Sequence, residues 1–333
     1  VTGRPLALTL GDPAGIGPEI VAKAWRALRT EDAPFFVVGD ADLLAMAAGG
    51  DLSIRRIDDP ASTLHVFSEA LPVLDLPLGT VVSPGAPTPE AAPAIIRWIE
   101  TAVSLALEGR VGGIVTAPIA KAPLYAAGFR FPGHTEFLGD LTAQAPFEGQ
   151  RGPVMMLTAR DLRTALVTVH EPLAAVSAKL SQERIVETGL VTAQALCRDF
   201  GIAHPRLVVA GLNPHAGESG SLGDEETRII APAVQTLRDL GVDARGPYPA
   251  DTLFPAEVRT TYDAAVCLYH DQALIPVKML DFWGGVNMTL GLPIVRTSPD
   301  HGTAFDIAGR GVARPDSLIA AIRLAAEVAG RRA

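Results

Sequence analysis

Short apolar runs alternate with helical periodicity along this chain, and that alternation narrows the fold more than any other feature. Residues 6–10, 35–39, 113–118, 162–169, 206–213 and 264–269 read as strands. Residues 20–28, 40–48, 89–108, 177–200 and 315–331 carry helix-period patterns, and a further helix starts at 223–226. Strands separated by helices give an α/β fold, with parallel strands whose faces the helices bury. Apolar residues make up 48% and aromatics only 5%, so the core must be built from Ala, Val, Leu and Ile, as such sheets are. A chain of 333 residues exceeds one small core, so two domains or one large interlocked unit is expected. No repeat and no linker-like composition interrupts it; two domains would share more than one crossing of the chain.

The net charge of −9 is spread without a long run of one sign. It offers no basic footprint for nucleic acid or for an anionic membrane. An anionic substrate would therefore need a local cluster of cations. No apolar run reaches the roughly 18 to 20 residues needed to span a bilayer. The start, Val1-Thr-Gly-Arg-Pro-Leu6, has no charged-then-apolar signal pattern, and the expectation is a cytoplasmic protein. Cys197 and Cys267 lie in apolar runs and read as buried free thiols. His65 and His204 read as surface or structural histidines.

The chemistry concentrates in 269–309: a His beside an Asp, Lys278, Asn287 among apolar neighbours, Arg296 closing a hydrophobic strand, and a glycine-punctuated loop. His270 also fits a wider pattern. His170, His215 and His270 each stand at or just past the end of an apolar run. Ligands in open α/β sheets bind at the carboxyl ends of strands, so three distant imidazoles can converge there. Three histidines with an open position suit a catalytic zinc, and Asp271 could orient one ring. Three unrelated loop-edge histidines remain the alternative, with His134 competing for a ligand slot. At the other end, Gly11-Asp-Pro-Ala-Gly15-Ile-Gly17-Pro-Glu19 joins a strand to a helix. Glycines allow close backbone approach to a ligand, and a helix start favours negative charge. A tight turn alone is the alternative reading. His134 and Thr135, entering another helix, are placed to meet an anion.

His301-Gly302-Thr303-Ala-Phe-Asp306-Ile-Ala-Gly309 resembles the adenosine-wrapping loop of the isocitrate and isopropylmalate dehydrogenases, and the first turn resembles theirs. Phe305 replaces their usual proline, and the candidate metal ligands here are histidines where theirs are aspartates. That combination resembles the 4-hydroxythreonine-4-phosphate dehydrogenase family of vitamin B6 biosynthesis. The resemblance extends through Gly133-His-Thr-Glu136, Val169-His-Glu-Pro172, Leu212-Asn-Pro-His-Ala-Gly-Glu218 and Tyr269-His-Asp-Gln272.

The resemblance implies a fold like that of the isocitrate and isopropylmalate dehydrogenases, with two intertwined α/β/α subdomains around a central cleft. Residues 1–125 with 285–333 would form one, carrying the dinucleotide loop. Residues 126–284 would form the other, with metal and substrate residues and the interface of a homodimer. It implies that His170, His215 and His270 bind the metal: zinc, with cobalt or magnesium as alternatives. His134, Thr135, Lys278, Asn287 and Arg296 would hold the substrate, a small phosphorylated amino acid. Arg296 offers a bidentate fork for an anion and Lys278 a point charge, although either could instead serve a structural ion pair. Gly11, Gly15, Gly17, His301, Gly302, Thr303, Asp306 and Gly309 would bind the dinucleotide. Asp306 stands where a carboxylate receives ribose hydroxyls and repels a 2′-phosphate. NAD is therefore expected over NADP, with Arg310 and Arg314 able to offset this. The implied reaction is oxidation of 4-phosphooxy-L-threonine followed by decarboxylation to 3-amino-2-oxopropyl phosphate. Asp251, Lys278 and Asp271 are the candidate bases. Rival readings are a related dehydrogenase of a phosphorylated threonate or erythronate or of a dihydrodiol dicarboxylate, a three-histidine metallohydrolase, and a metal-storage protein.

Overall fold

The computed structural model describes residues 3–333. In chain order the first segment holds β1 (Leu6–Thr9), α1 (Gly17–Leu28), β2 (Phe35–Gly39), α2 (Ala41–Ala47), β3 (Ile54–Arg56), α3 (Thr63–Val66), β4 (Leu71–Asp75), α4 (Ala92–Leu107), β5 (Gly113–Thr116), α5 (Lys121–Ala126) and α6 (His134–Leu141). Next come β6 (Val154–Ala159), β7 (Leu162–Leu166), α7 (Leu173–Lys179), α8 (Gln182–Phe200), β8 (Arg206–Ala210), α9 (Ala231–Asp239), β9 (Asp243–Tyr248), α10 (Ala256–Arg259), β10 (Ala264–Cys267), α11 (His270–Leu280) and β11 (Val286–Leu290). β12 (Arg296–Pro299) and α12 (Asp316–Arg332) close the chain.

These elements form two compact units. One runs to Pro146 and resumes at Pro293–Ala333; the other is Phe147–Leu292. The sequence reading changed over at 125/126 and 284/285. In the structure α6 packs with α4 in the first unit, and β11 pairs with β6 in the second. His134 and Thr135 therefore belong to the same unit as the 301–309 loop.

The first unit has strands in the order β3-β4-β2-β1-β5-β12, every pair parallel. β1 and β2 are buried throughout, as a doubly covered parallel sheet requires. α4 lays Ile95, Trp98 and Ile99 against β1 and β2, each such burial contributing about 1.5–3 kcal/mol. The Trp98 indole donates to the Leu76 carbonyl at 2.9 Å, so the ring is buried with its polar atom satisfied. Gly17 lets α1 start tight against β1: a Cβ there would run into the Leu10 carbonyl oxygen.

The second unit is mixed, a departure from the parallel sheet expected. Its order is β11-β6-β7-β10-β8-β9, with β11, β6 and β7 antiparallel and the rest parallel. Alternate residues of β8 and β10 feed opposite cores, as the period of two demands. Leu207, Val209, Ala264 and Val266 face α8 and α9; Val208, Ala210, Ala265 and Cys267 face α11.

Three local expectations are corrected, and one helix stands where none was expected. The helix expected over 177–200 is two helices, because Ser181 caps α8 by accepting from the Arg184 amide at 3.3 Å. Arg296 opens β12 and does not close a strand. Residues 270–280 form a helix that Pro276, inside it, disguised. Cys197 is exposed, on the polar side of α8, whereas Cys267 is buried as expected.

Candidate active site

In the first unit the site grows from β5 and β12. Their parallel register, Arg296 opposite Ile114 and Thr297 opposite Val115, sets Arg296 beside β5 with its side chain in reach of Thr116 at the strand's end. Its guanidinium donates to Thr116 Oγ1 from Nη2 at 2.7 Å and from Nε at 3.2 Å. Only 2% of the residue is exposed. Burial pushes its pKa down to about 10, opposed by the nearby Glu136 carboxylate. α6 begins with His134 and Thr135 at the same place. His134 as a whole is partly exposed, but its Nε2 is fully shielded and has no hydrogen-bond partner. Burial, and then the Arg296 charge, holds this imidazole well below its ordinary pKa, so it is neutral at pH 7. Lys121 and Glu136 lie alongside Gly133, at ordinary contact distance from where a Cβ would stand, 3.6 Å for both Lys121 Cε and Glu136 Oε2. A buried guanidinium, a neutral imidazole and a helix start suit a carboxylate or phosphate group. The sequence reading singled out His134, Thr135 and Arg296 but not Thr116, Lys121 or Glu136. A Thr at a strand end followed by a Lys was the available signal.

The glycine turn and the 301–311 loop meet in this unit. Ile16 N donates to the Thr303 carbonyl at 2.9 Å. Gly15 packs so closely that a Cβ would sit 2.9 Å from that oxygen. Asp12, buried within the turn, accepts from the Ala14 amide at 3.0 Å, and burial raises its pKa. Glu19 accepts from the Ala313 amide at 2.8 Å and the Gly311 amide at 3.2 Å. Lys23 pairs with Glu19 at 2.7 Å and donates to the Gly311 and Ala313 carbonyls. This clamp of Glu19 and Lys23, missed in the sequence, ties the loop's end to α1. Within the loop, His301 Nε2 is buried with no hydrogen-bond partner, and Gly302 borders open space. Ala304 sits in the left-handed region at φ 44°. Asp306 and Arg310 are exposed, and Arg314 binds Asp316 through two bonds of 3.0 Å.

In the second unit, β7, β10 and β8 are adjacent and parallel, so their carboxyl ends lie side by side. His170, His270 and His215 follow those ends. The rings of His170 and His270 are 5.8 Å apart, and Asp271 Oδ1 lies 2.7 Å from His270 Nδ1. These groups line one depression; His215 and Asp251 line a neighbouring one, and Tyr269 borders both. Among the described residues no group of three potential metal ligands comes together. The convergence expected from the sequence is therefore realised for two imidazoles. His215 stands apart because β8 leads into an unusual turn. His215, Ala216, Gly217, Glu218 and Ser219 all have positive φ, between 41° and 77°. For non-glycine residues this costs about 1–2 kcal/mol each, strain that gathers at functional sites.

That turn is held by carboxylates the sequence reading passed over. Glu226 accepts from the Leu212 and Asn213 amides, both at 2.7 Å, and from the Asn213 side chain at 3.0 Å. Glu225 accepts from Asn213 Nδ2 at 2.7 Å and Ser177 Oγ at 2.6 Å; the Ser177 and Asn213 bonds keep it below the ordinary carboxylate range. Lys278 lies on α11 with Nζ 5.1 Å from the Phe282 ring centre, a cation–π contact. Asn287 lies on β11 opposite Leu157, its Oδ1 buried without a partner. Leu173, Ile275, Met279, Phe282 and Trp283 are large, apolar and exposed in this unit.

A family model described as pyridoxal phosphate biosynthetic protein PdxA matches residues 31–325. The 4-hydroxythreonine-4-phosphate dehydrogenase of Caulobacter vibrioides is 67% identical over 332 residues, covering 100% of this chain and 99% of its own. The crystal structure of 4-hydroxythreonine-4-phosphate dehydrogenase from Klebsiella pneumoniae is similar with a TM-score of 0.86 and 42% identity, covering 98% of this chain and 99% of its own. A terephthalate 1,2-cis-dihydrodioldehydrogenase from Burkholderia xenovorans is similar at a TM-score of 0.63 and 30% identity, covering 97% and 98%.

Proposed function

Since the chain belongs to the PdxA family of pyridoxal phosphate biosynthetic proteins, we propose that it oxidises 4-phosphooxy-L-threonine with NAD as hydride acceptor. The C3 hydroxyl becomes a ketone, giving 2-amino-3-oxo-4-phosphooxybutanoate, NADH and a proton. Loss of carbon dioxide then yields 3-amino-2-oxopropyl phosphate, on the route to pyridoxal phosphate. The observation that carries this reading is the end-to-end match, at 67% identity, to a relative of that activity. The dihydrodiol alternative has weaker support, a TM-score of 0.63 against 0.86.

Roles for individual residues are part of the proposal. The buried Arg296 fork, neutral His134 and Thr135 take an anionic end of the substrate, with Lys278 and Asn287 as further donors. Neutral His134 can accept or donate a hydrogen bond without adding charge. The chain's motif at 301–309 and its first turn support a binding loop of the isocitrate and isopropylmalate dehydrogenase kind. The fit to a dinucleotide rests on the orphaned His301 Nε2, the open flank of Gly302, and the contact between Gly15 and Thr303. Gly11, Gly17 and Gly309 complete the backbone path. Exposed Asp306 receives ribose hydroxyls and favours NAD. Arg314, engaged by Asp316, offers less to a 2′-phosphate than the exposed Arg310.

Imidazoles from His170, His215 and His270 suit a borderline-soft divalent ion, zinc first and cobalt after it, and argue against magnesium, which prefers oxygen ligands. When bound, that ion would supply Lewis-acid stabilisation of the negative charge developing on the substrate oxygen in both steps. Asp271 fixes the His270 ring through Nδ1 and leaves Nε2 for the metal. Engaged there, Asp271 is the weakest of the three base candidates, and the proton falls to Lys278 or Asp251. The exposed apolar side chains from Leu173 to Trp283 support a homodimer covering the second unit, which would also bring further groups near His170 and His270.

The test is NADH absorbance with NAD, a divalent metal and a panel of 4-phosphooxy-L-threonine, phosphorylated threonate and erythronate, and a dihydrodiol dicarboxylate. NADH and carbon dioxide should form from the first. Turnover of another member with none of the first would overturn the reading.

A further inference from the structure

We propose that Glu226 is a positioning residue for His215: its buried carboxylate holds the left-handed turn and so sets where that imidazole points. The inference rests on the reading of His215 as a metal ligand. Glu226 is 4% exposed and opens a single π turn, Glu226–Ile230, of a kind frequent at functional sites. Both of its oxygens accept from the turn's entry, at Leu212 N, Asn213 N and Asn213 Nδ2. Two glycines make room for the carboxylate. A Cβ at Gly217 would lie 2.7 Å from Oε2, and one at Gly211 would lie 3.2 Å from Oε1. Gly217 stands in the middle of the residues with positive φ, two places after His215. The strained backbone and the carboxylate that braces it thus touch on both sides of the histidine.

All three groups around the carboxylate are donors. An amide in its place offers one acceptor and one donor side, so an N–H meets another N–H unless Asn213 turns its amide over, which would set its oxygen against the Glu225 carboxylate. The turn then relaxes, and His215 moves. Substitutions that disturb groups orienting a metal ligand typically weaken metal binding about 10- to 100-fold.

The experiment titrates cobalt(II) into the full chain and reads its visible absorption, with NAD affinity measured in parallel. Glu226→Gln should weaken cobalt binding about 10- to 100-fold and lower kcat, while NAD affinity and KM for NAD stay unchanged. Gly217→Ala, which pushes on the same carboxylate from the turn, should give the same pattern and serves if Glu226→Gln does not fold. His215→Ala is the reference: it should lose cobalt binding in the same way and further. If His215→Ala loses cobalt and both other variants keep wild-type affinity, the positioning role is wrong while the metal reading stands. If the wild type and His215→Ala bind cobalt alike, the metal reading fails and the positioning role falls with it.

Discussion

The two units solve the same problem differently. The first is an all-parallel sheet in which several candidate groups are shielded and tied: Arg296 to Thr116, the glycine turn to Thr303, and Glu19 with Lys23 to the end of the loop, although Asp306 and Arg310 stay exposed. The second is a mixed sheet whose histidines lie near the surface, among exposed apolar side chains and beside a strained turn. Groups in the first unit are preorganised by burial within one chain. Those in the second are only partly gathered by it. A face that leaves Ile275 and Met279 exposed has not finished burying the apolar surface its sequence supplies.

The strongest break of that contrast would come from the second unit's surface. Ile275→Asp combined with Met279→Asp should convert a dimer to a monomer in size-exclusion chromatography and reduce activity about 100-fold or more. A dimer of full activity in this variant would remove the argument for a covered face. Next in size is Arg296→Lys, which keeps the charge but loses the two-pronged contact with Thr116. It should lower kcat/KM for the substrate about 10- to 100-fold and leave the oligomer intact. A loss reversed by raising the protein concentration would show that the first unit is not self-sufficient.

The smallest effect concerns His134 and pH. Its folded pKa is depressed by burial, so the unfolded chain takes up the proton first. Above about pH 6.5 both states are neutral there and the histidine adds no pH dependence. Below that, stability is lost as pH falls, by at most about 1.4 kcal/mol per unit from this group. His134→Gln should flatten the acid side of a chemical-denaturation profile by that slope. An unchanged profile would mean that His134 titrates normally and that its pocket is wet.

Much of this was legible in the chain. The apolar runs at 6–10, 35–39 and 264–269 became strands because a continuous apolar run between turn signals leaves few alternatives. The strand-end positions of His170, His215 and His270 were readable for the same reason. The α11 helix was not, because Pro276 argues locally against a helix that tertiary packing of Ala273 and Val277 maintains. Nor was Glu226, since an acidic residue near a helix start reads as solvent-facing until its partners are known. β11 was missed because its pairing partner, β6, lies over a hundred residues away in sequence, beyond any local pattern; β6 was missed although β7, its other partner, follows it directly.

By itself, then, the sequence determined the type of the elements with a clear apolar period, the glycine turns and the identity of the chemical groups, all consequences of local periodicity and side-chain chemistry. Only the tertiary structure decided that β12 lies beside β5 to shield Arg296, that β7, β10 and β8 are neighbours, and that Glu226 lies under the His215 turn. Those are long-range pairings, fixed by which apolar faces bury one another.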